Sequence, residues 1–307
     1  MIVEANSLLY RHALQIFHSM WETTGKNGRL PPIFPGPQPI SIERVHFAKL
    51  KSNPYVVCEK TDGVRIVLLA FLFENKKVTL LINRSLQMTQ ISLNLPKSAH
   101  RGTLLDGELV EKTLMIYDGV WVSGEDIKQK NFLDRLEKIE LFIRGIMRLA
   151  KDPIMVRLKK FVTLNELENF QKNVVPNLPY ETDGLVFTPV NDPVRLGTHE
   201  NMFKWKPRDQ NTIDFQVKFK PDGTAALYIQ DRGSLIYESE VSPSQMDLSW
   251  LHEDCIVECQ YMVDTFPLWW KPLKIRTDKN YPNNRRTFYR TMVNVQENIQ
   301  WEEFTRL

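Results

Sequence analysis

Lysine, aspartate, glycine and arginine stand together in CEKTDGVR, residues 58–65, immediately ahead of the apolar run VRIVLLAFLF. A lysine held in such a group has two chemical uses. As an ammonium it binds anions; as a neutral amine it attacks phosphorus and later leaves from the phosphoramidate it has formed. The second use requires loss of a proton near neutrality, although a free lysine has a pKa of about 10.4. Neighbouring cations favour that loss, and Arg65, Lys204 and Lys206 are the candidates. Lys204 and Lys206, in FKWK, share one face of a strand by its period of two. Carboxylates recur in similar settings: Glu108 stands two after Asp106 in DGEL, and Asp183 precedes an apolar triplet in TDGLVF. Glycine follows aspartate at Asp62, Asp106, Asp118, Asp183 and Asp222. The simplest reading of Asp-Gly between strands is a hairpin turn, which is taken for Asp118 and Asp222. The plain alternative for Lys60 is a strand-end lysine paired with Glu59 or Asp62.

The elements that must position these groups are mostly strands. The first 50 residues read as helical, broken by LPPIFPGPQPI (30–40), with Ser41 as the cap of SIERVHFAKL. From Tyr55 to Val122 short β-branched and aromatic runs alternate with turn signals, which predicts an antiparallel sheet. Helical spacing returns over 126–151 and 164–171, then strands at 184–190 and 203–206. The polar joint PRDQN (207–211) precedes TIDFQVKF, AALYIQ and IVECQYMV, a set the size of a small barrel such as an OB-fold. With 307 residues, 42% of them hydrophobic, the chain is long enough for two domains. No apolar run approaches the roughly 20 residues of a membrane span, which predicts a soluble protein without a membrane partner. Three cysteines at unpatterned spacings point to a reducing, intracellular compartment. A net charge of +3 excludes a general polyanion coat, while KPLKIRTDK (271–279) and Arg285-Arg286 are locally basic.

Taken in order, KTDGVR (60–65), DGEL (106–109), TDGLVF (182–187), FKWKP (203–207) and RTDKN (276–280) resemble the motifs of the covalent nucleotidyltransferases. That superfamily holds messenger RNA capping enzymes and polynucleotide ligases. The likeness runs from about residue 33 to 298 and is greatest to the compact capping guanylyltransferases of large DNA viruses. It includes FPGPQPISIER, MIYDG, VRLKKF and TIDF. The implied fold is α+β: an antiparallel-sheet nucleotidyltransferase domain of the ATP-grasp-like, ligase type at 1–211, then a smaller OB-fold β-barrel at 212–298. The tail, 299–307, is expected as a helix packing back on the first domain.

The resemblance also implies roles. Lys60 is the nucleophile that takes GMP from GTP and passes it to the 5′-diphosphate end of an RNA. Arg65 and Glu108 hold the ribose, with Arg84 of INRS nearby; Tyr117 stacks on the base; Lys159, with Lys160 as its alternative, donates to guanine O6. Asp183 lies near the lysine and a bound Mg²⁺ or Mn²⁺, and Lys204 and Lys206 contact the α-phosphate. Asp214 serves phosphate or metal chemistry, while Arg276, Asp278 and Lys279 reach the outer phosphates as the barrel closes about residues 207–212. A separate RNA triphosphatase and cap methyltransferase are implied as partners, with RNA polymerase a candidate for docking, in a nucleus, a viral factory or a virion. Two other readings share some of these residues. An ATP-dependent ligase usually places Glu where Cys58 stands, and a noncatalytic RNA-binding scaffold would rest on Trp269, Trp270, Lys271 and Lys274.

Overall fold

The run VRIVLLAFLF does not alternate because its strand, Val64–Phe73, is covered on both faces. In the computed structural model, which describes every residue except Lys26 and Asp278, Val67, Leu69 and Phe71 pack with Ala13 and Phe17 of the helix Leu8–Met20. Ile66, Leu68 and Ala70 face the other way, toward Ile139 and Phe142 of the helix Phe132–Arg144. Ser7 and Asn131 cap these helices by accepting from Tyr10 N and Asp134 N at 3.1 and 2.9 Å.

The chain divides into two units: 1–40 with 48–204 and Leu307, and 41–47 with 205–306. The first holds two sheets. One runs in the order Gln38–Ser41, Thr198–Trp205, Thr182–Pro189, Tyr55–Thr61, Val162–Thr163. The other runs Met88–Ile91, Lys76–Asn83, Val64–Phe73, Thr103–Val110, Thr113–Val122, Glu125–Asp126, and Met155–Leu158 joins Thr113–Val122 in parallel. The second unit is a five-stranded antiparallel sheet ordered Ser234–Val241, Ala225–Asp231, Thr212–Phe219, Ile256–Met262, Trp269–Ile275. Its two edge strands come back toward one another, as a small barrel requires. The helix Arg285–Glu297 contributes Phe288 to that core, 6.2 Å from Phe215 and 5.9 Å from Trp270 between ring centres.

Several local expectations change. Ser41 ends a strand rather than capping a helix; the cap is Glu43, whose N–H donates to His46 Nδ1 at 2.9 Å ahead of the turn Arg44–His46 and the helix Phe47–Ser52. The strand around FKWK begins at Thr198 and ends at Trp205, so Lys206 lies just past it. Trp205 Nε1 donates to Ile299 O at 2.8 Å, and Phe304 stacks edge-on to Trp205 and packs on Phe47. The terminal turn Trp301–Arg306 and residues 41–47, joined by Arg44 to Glu297 and Glu303, cluster together with 205–306.

Asp222 does begin a turn, accepting from Thr224 N at 2.9 Å. Asp118 does not. It lies inside the strand Thr113–Val122, buried, and receives Arg135 Nε and Nη2 at 2.8 and 2.9 Å. The Arg135 side chain is 2% exposed, so removing either partner strands a buried charge. Arg135→Met is expected to lower unfolding free energy by about 3–5 kcal/mol, read as a lower urea midpoint; an unchanged midpoint would show that the pair contributes nothing net.

Candidate active site

The strand Tyr55–Thr61 leaves the five-stranded sheet, turns at Asp62-Gly63 and enters the seven-stranded sheet as Val64–Phe73. Lys60 therefore belongs to one sheet and Arg65 to the other. A Cβ on Gly63 would lie 2.6 Å from Leu109 O and 2.8 Å from Val110 Cγ2, so the turn closes on the Glu108 strand only with glycine there. Lys60 Nζ donates to Asp183 Oδ1 at 2.6 Å, not to Glu59 or Asp62. Asp183 reaches it from the adjacent strand, where the register with Tyr55–Thr61 shifts between Thr182 and Leu185 and Gly184 takes φ 143°. Lys204 lies half-buried on the next strand over.

Across the turn, Arg65 pairs in register with Glu108. Its guanidinium is clamped by Asp106, Nε to Oδ1 at 3.0 Å and Nη2 to Oδ2 at 2.5 Å, while Nη1 donates to Pro37 O at 2.8 Å. It lies over Phe34, 4.8 Å from the ring centre. Burial works against the Arg65 charge, but Asp106 outweighs it and holds the guanidinium firmly protonated. Tyr117 is the extra residue of a bulge, since Asp106 pairs with Asp118 and Gly107 with Ile116. Its hydroxyl donates to Asp106 Oδ1 at 2.8 Å and is pushed well above the usual phenol range by burial. Glu108 is raised from the ordinary carboxylate range by burial, against the opposing pull of Lys159, Lys60 and Arg65. It thus stands in the field of three cations.

Lys159 and Lys160 separate clearly: Lys160 is exposed, whereas Lys159 is buried with Nζ donating to Thr61 Oγ1 at 2.6 Å and 3.4 Å from Glu59 Oε1. Arg84 sits exposed on the turn after Asn83, which pairs with Ile66, so it marks the Arg65 end of the sheet. In the second unit, Asp214 is buried and holds Arg276 Nη1 at 3.1 Å and Lys279 Nζ. Asp278 lies outside the described residues. Among the described residues no cluster of three His, Cys, Asp or Glu forms a metal cage. A lone carboxylate such as Asp183 still suits Mg²⁺, which takes most ligands from phosphate and water. The three cysteines are free and buried, and burial pushes the Cys58 thiol up to about 12. No described helix is long and apolar enough to cross a membrane.

The structure brings Lys60 to Asp183, gathers Arg65, Glu108 and Tyr117 around Asp106, and clusters Asp214 with Arg276 and Lys279. Sequence reasoning passed over Asp106, Phe34 and Pro37 as working residues. Their signals were present: Asp106 shares a strand face with Glu108, and FPGPQP was noted only as a motif.

A family model described as "mRNA capping enzyme, catalytic domain" matches residues 10–208, and one described as "mRNA capping enzyme, C-terminal domain" matches 210–305. The chain is 26% identical to the mRNA-capping enzyme subunit alpha of Schizosaccharomyces pombe over 91% of this chain and 81% of that protein. It is 28% identical to the mRNA-capping enzyme of Danio rerio over 92% of this chain and 48% of that one, and so spans about half the length of this animal relative. To the Saccharomyces cerevisiae mRNA-capping enzyme subunit alpha it is 30% identical over 68% of this chain and 54% of that protein. These relatives are fungal and animal, so the likeness to viral enzymes rests on the motifs alone.

The raised Glu108 gives a pH test. Between its unfolded and folded pKa values the native state binds the extra proton, so wild-type stability falls as pH rises through that window. Glu108→Gln removes this dependence and is expected to be at least as stable as wild type at pH 7 while binding nucleotide more weakly. Denaturant melts from pH 4 to 7 read it; a variant that loses stability as pH rises alongside wild type would contradict the assignment.

Proposed function

The chain belongs to the mRNA capping enzyme family, and we propose from that premise that Lys60 is the residue through which GMP is carried. The enzyme is an mRNA guanylyltransferase. In the first step Lys60 Nζ attacks the α-phosphorus of GTP, the bond to the bridging oxygen of the β-phosphate breaks, pyrophosphate leaves and the amine gives up its proton. In the second, a terminal oxygen of a 5′-diphosphate RNA attacks the same phosphorus. The N–P bond breaks, GpppN forms and the lysine regains a proton. The observation that carries this reading is the Lys60 amine 2.6 Å from Asp183, on the strand that runs directly into Arg65 and its partner Glu108.

The other residues divide the nucleotide between them. Arg65, locked by Asp106, and Glu108 take the ribose hydroxyls, a Glu being a natural acceptor there. Tyr117 offers its ring to the base and Lys159 its ammonium to guanine O6. Arg84 stands near the ribose end, and Lys204 and Lys206 meet the α-phosphate. Asp183 lies within proton-transfer reach of Lys60 and is the carboxylate that would hold Mg²⁺ or Mn²⁺. When bound, that ion offsets phosphate charge and orients the triphosphate. Arg276, Asp278 and Lys279 position the departing pyrophosphate, and Asp214 orders Arg276 and Lys279. A triphosphatase must supply the diphosphate end and a methyltransferase would consume the cap; polymerase docking belongs to the same proposal, as does an intracellular site of action, nuclear or otherwise.

The test is incubation with α-labelled GTP or ATP and a divalent metal, followed by denaturing electrophoresis. Label from GTP, discharged by pyrophosphate, passed to diphosphate-ended RNA, absent in Lys60→Ala and requiring more GTP in Arg276→Ala, is the expected result. Label from ATP would make the chain a ligase. Nucleotide binding without any covalent label would make it a scaffold.

A further inference from the structure

Glu59, the neighbour of Lys60, points to the opposite face of its strand and is 2% exposed. Its Oε1 accepts from Tyr180 Oη at 3.0 Å and Thr61 Oγ1 at 3.3 Å, and lies 3.4 Å from Lys159 Nζ. Lys159 is itself 5% exposed and donates to Thr61 at 2.6 Å. Burying two charges is costly and is repaid only by close pairing with further hydrogen bonds, so such a pair is weak as a source of stability and better suited to fixing a geometry. An ammonium carries three protons. Thr61 and Glu59 engage two directions, and the charge of Lys159 is felt by Glu108, which stands opposite Arg65. The ammonium is thus anchored by Thr61 and Glu59 on one side and close enough to Glu108 for its charge to act there.

We propose that Glu59 and Tyr180 are positioning residues that hold the Lys159 ammonium in one place, and that this rigidity sets the preference for guanine over adenine. The inference rests on the reading of Lys159 as the donor to the base. At that edge guanine presents an oxygen acceptor and adenine an amino donor. A fixed cation attracts the first and repels the second. A lysine on its flexible four-carbon stem discriminates poorly if it can swing away from the wrong base. Tyr180 closes the arrangement from the segment that leads into the strand of Asp183, and Glu181 O accepts from Asp62 N at 3.1 Å beside it. The anchors Glu59 and Thr61 thereby share the strand of Lys60, and Tyr180 lies just ahead of the partner strand that carries Asp183. Burial and the Glu59 carboxylate push the Tyr180 hydroxyl well above the ordinary phenol range, so it stays a neutral donor.

The experiment measures Lys60-GMP and Lys60-AMP formation from GTP and ATP, as kcat/KM, in wild type, Glu59→Gln, Tyr180→Phe, Lys159→Ala and the double variant Glu59→Gln with Lys159→Ala. Lys159→Ala is expected to lower the GTP-to-ATP ratio by about 5- to 150-fold, the value of one good base contact. Glu59→Gln and Tyr180→Phe are expected to lower it by about fivefold or more, with the loss falling on KM for GTP more than on kcat. The double variant should be no worse than Lys159→Ala alone, because the anchors act through the lysine. A ratio lost in Lys159→Ala but kept in Glu59→Gln and Tyr180→Phe would overturn the positioning role and leave the reading of Lys159 standing. A ratio kept in Lys159→Ala would overturn both. Thermal melts accompany each variant, and Tyr180→Phe, which removes one oxygen, carries the test if Glu59→Gln does not fold.

Discussion

The approach of Gly63 to Leu109 O, too close for any Cβ, is the constraint on which the first unit's site depends. Backbone meeting backbone at that point carries the chain out of one sheet and into the next within two residues. Lys60 and Arg65 are five residues apart in sequence yet are ordered by different hydrogen-bond ladders. What each does is then fixed by its own sheet: Asp183 comes to Lys60 through the shifted register of the first, while Asp106 and Tyr117 come to Arg65 through the bulged register of the second. A side chain at position 63 would push the Glu108 strand away and separate Lys60 from Arg65 and Glu108.

The second regularity is charge compensation. Lys60 has Asp183, Arg65 has Asp106, Lys159 has Glu59, and Asp214 holds Arg276 and Lys279. Leaving a buried charge unpaired costs several kcal/mol, about 3–5 where a pair is broken. The Arg65–Asp106 and Lys159–Glu59 pairs are the more buried ones, whereas the side chains of Lys60, Arg276 and Lys279 keep a quarter to a third of their surface exposed. That difference suits the proposed roles, in which Lys60 is freed to react while Arg65 and Lys159 stay in place.

Much of this was legible in the residues. The alternating runs from Tyr55 onward gave antiparallel strands. What escaped was set by tertiary pairing. Asp118-Gly119 has the composition of a turn, but Arg135, seventeen residues on, draws Asp118 into a buried ion pair inside a strand. Ser234–Val241 and Trp269–Ile275 were missed as strands because their solvent-facing charges and basic residues mask the period of two. In the sequence Glu59 reads as a partner for Lys60, which its place on the opposite face forbids. Asp106 served as a landmark in DGEL, and nothing short of the register with Val64–Phe73 shows that it clamps Arg65. The helix Arg285–Glu297 was hidden by its polar face, since only Phe288, Thr291 and Val295 are buried.

The most direct measurement of the central claim is peptide mapping by mass spectrometry of the full chain after reaction with GTP and metal, under conditions that preserve a phosphoramidate. The account predicts GMP on the peptide that contains Glu59-Lys60-Thr61, with fragmentation placing it on Lys60. GMP on Lys159, Lys204 or any other residue, with Lys60 unmodified, would contradict it.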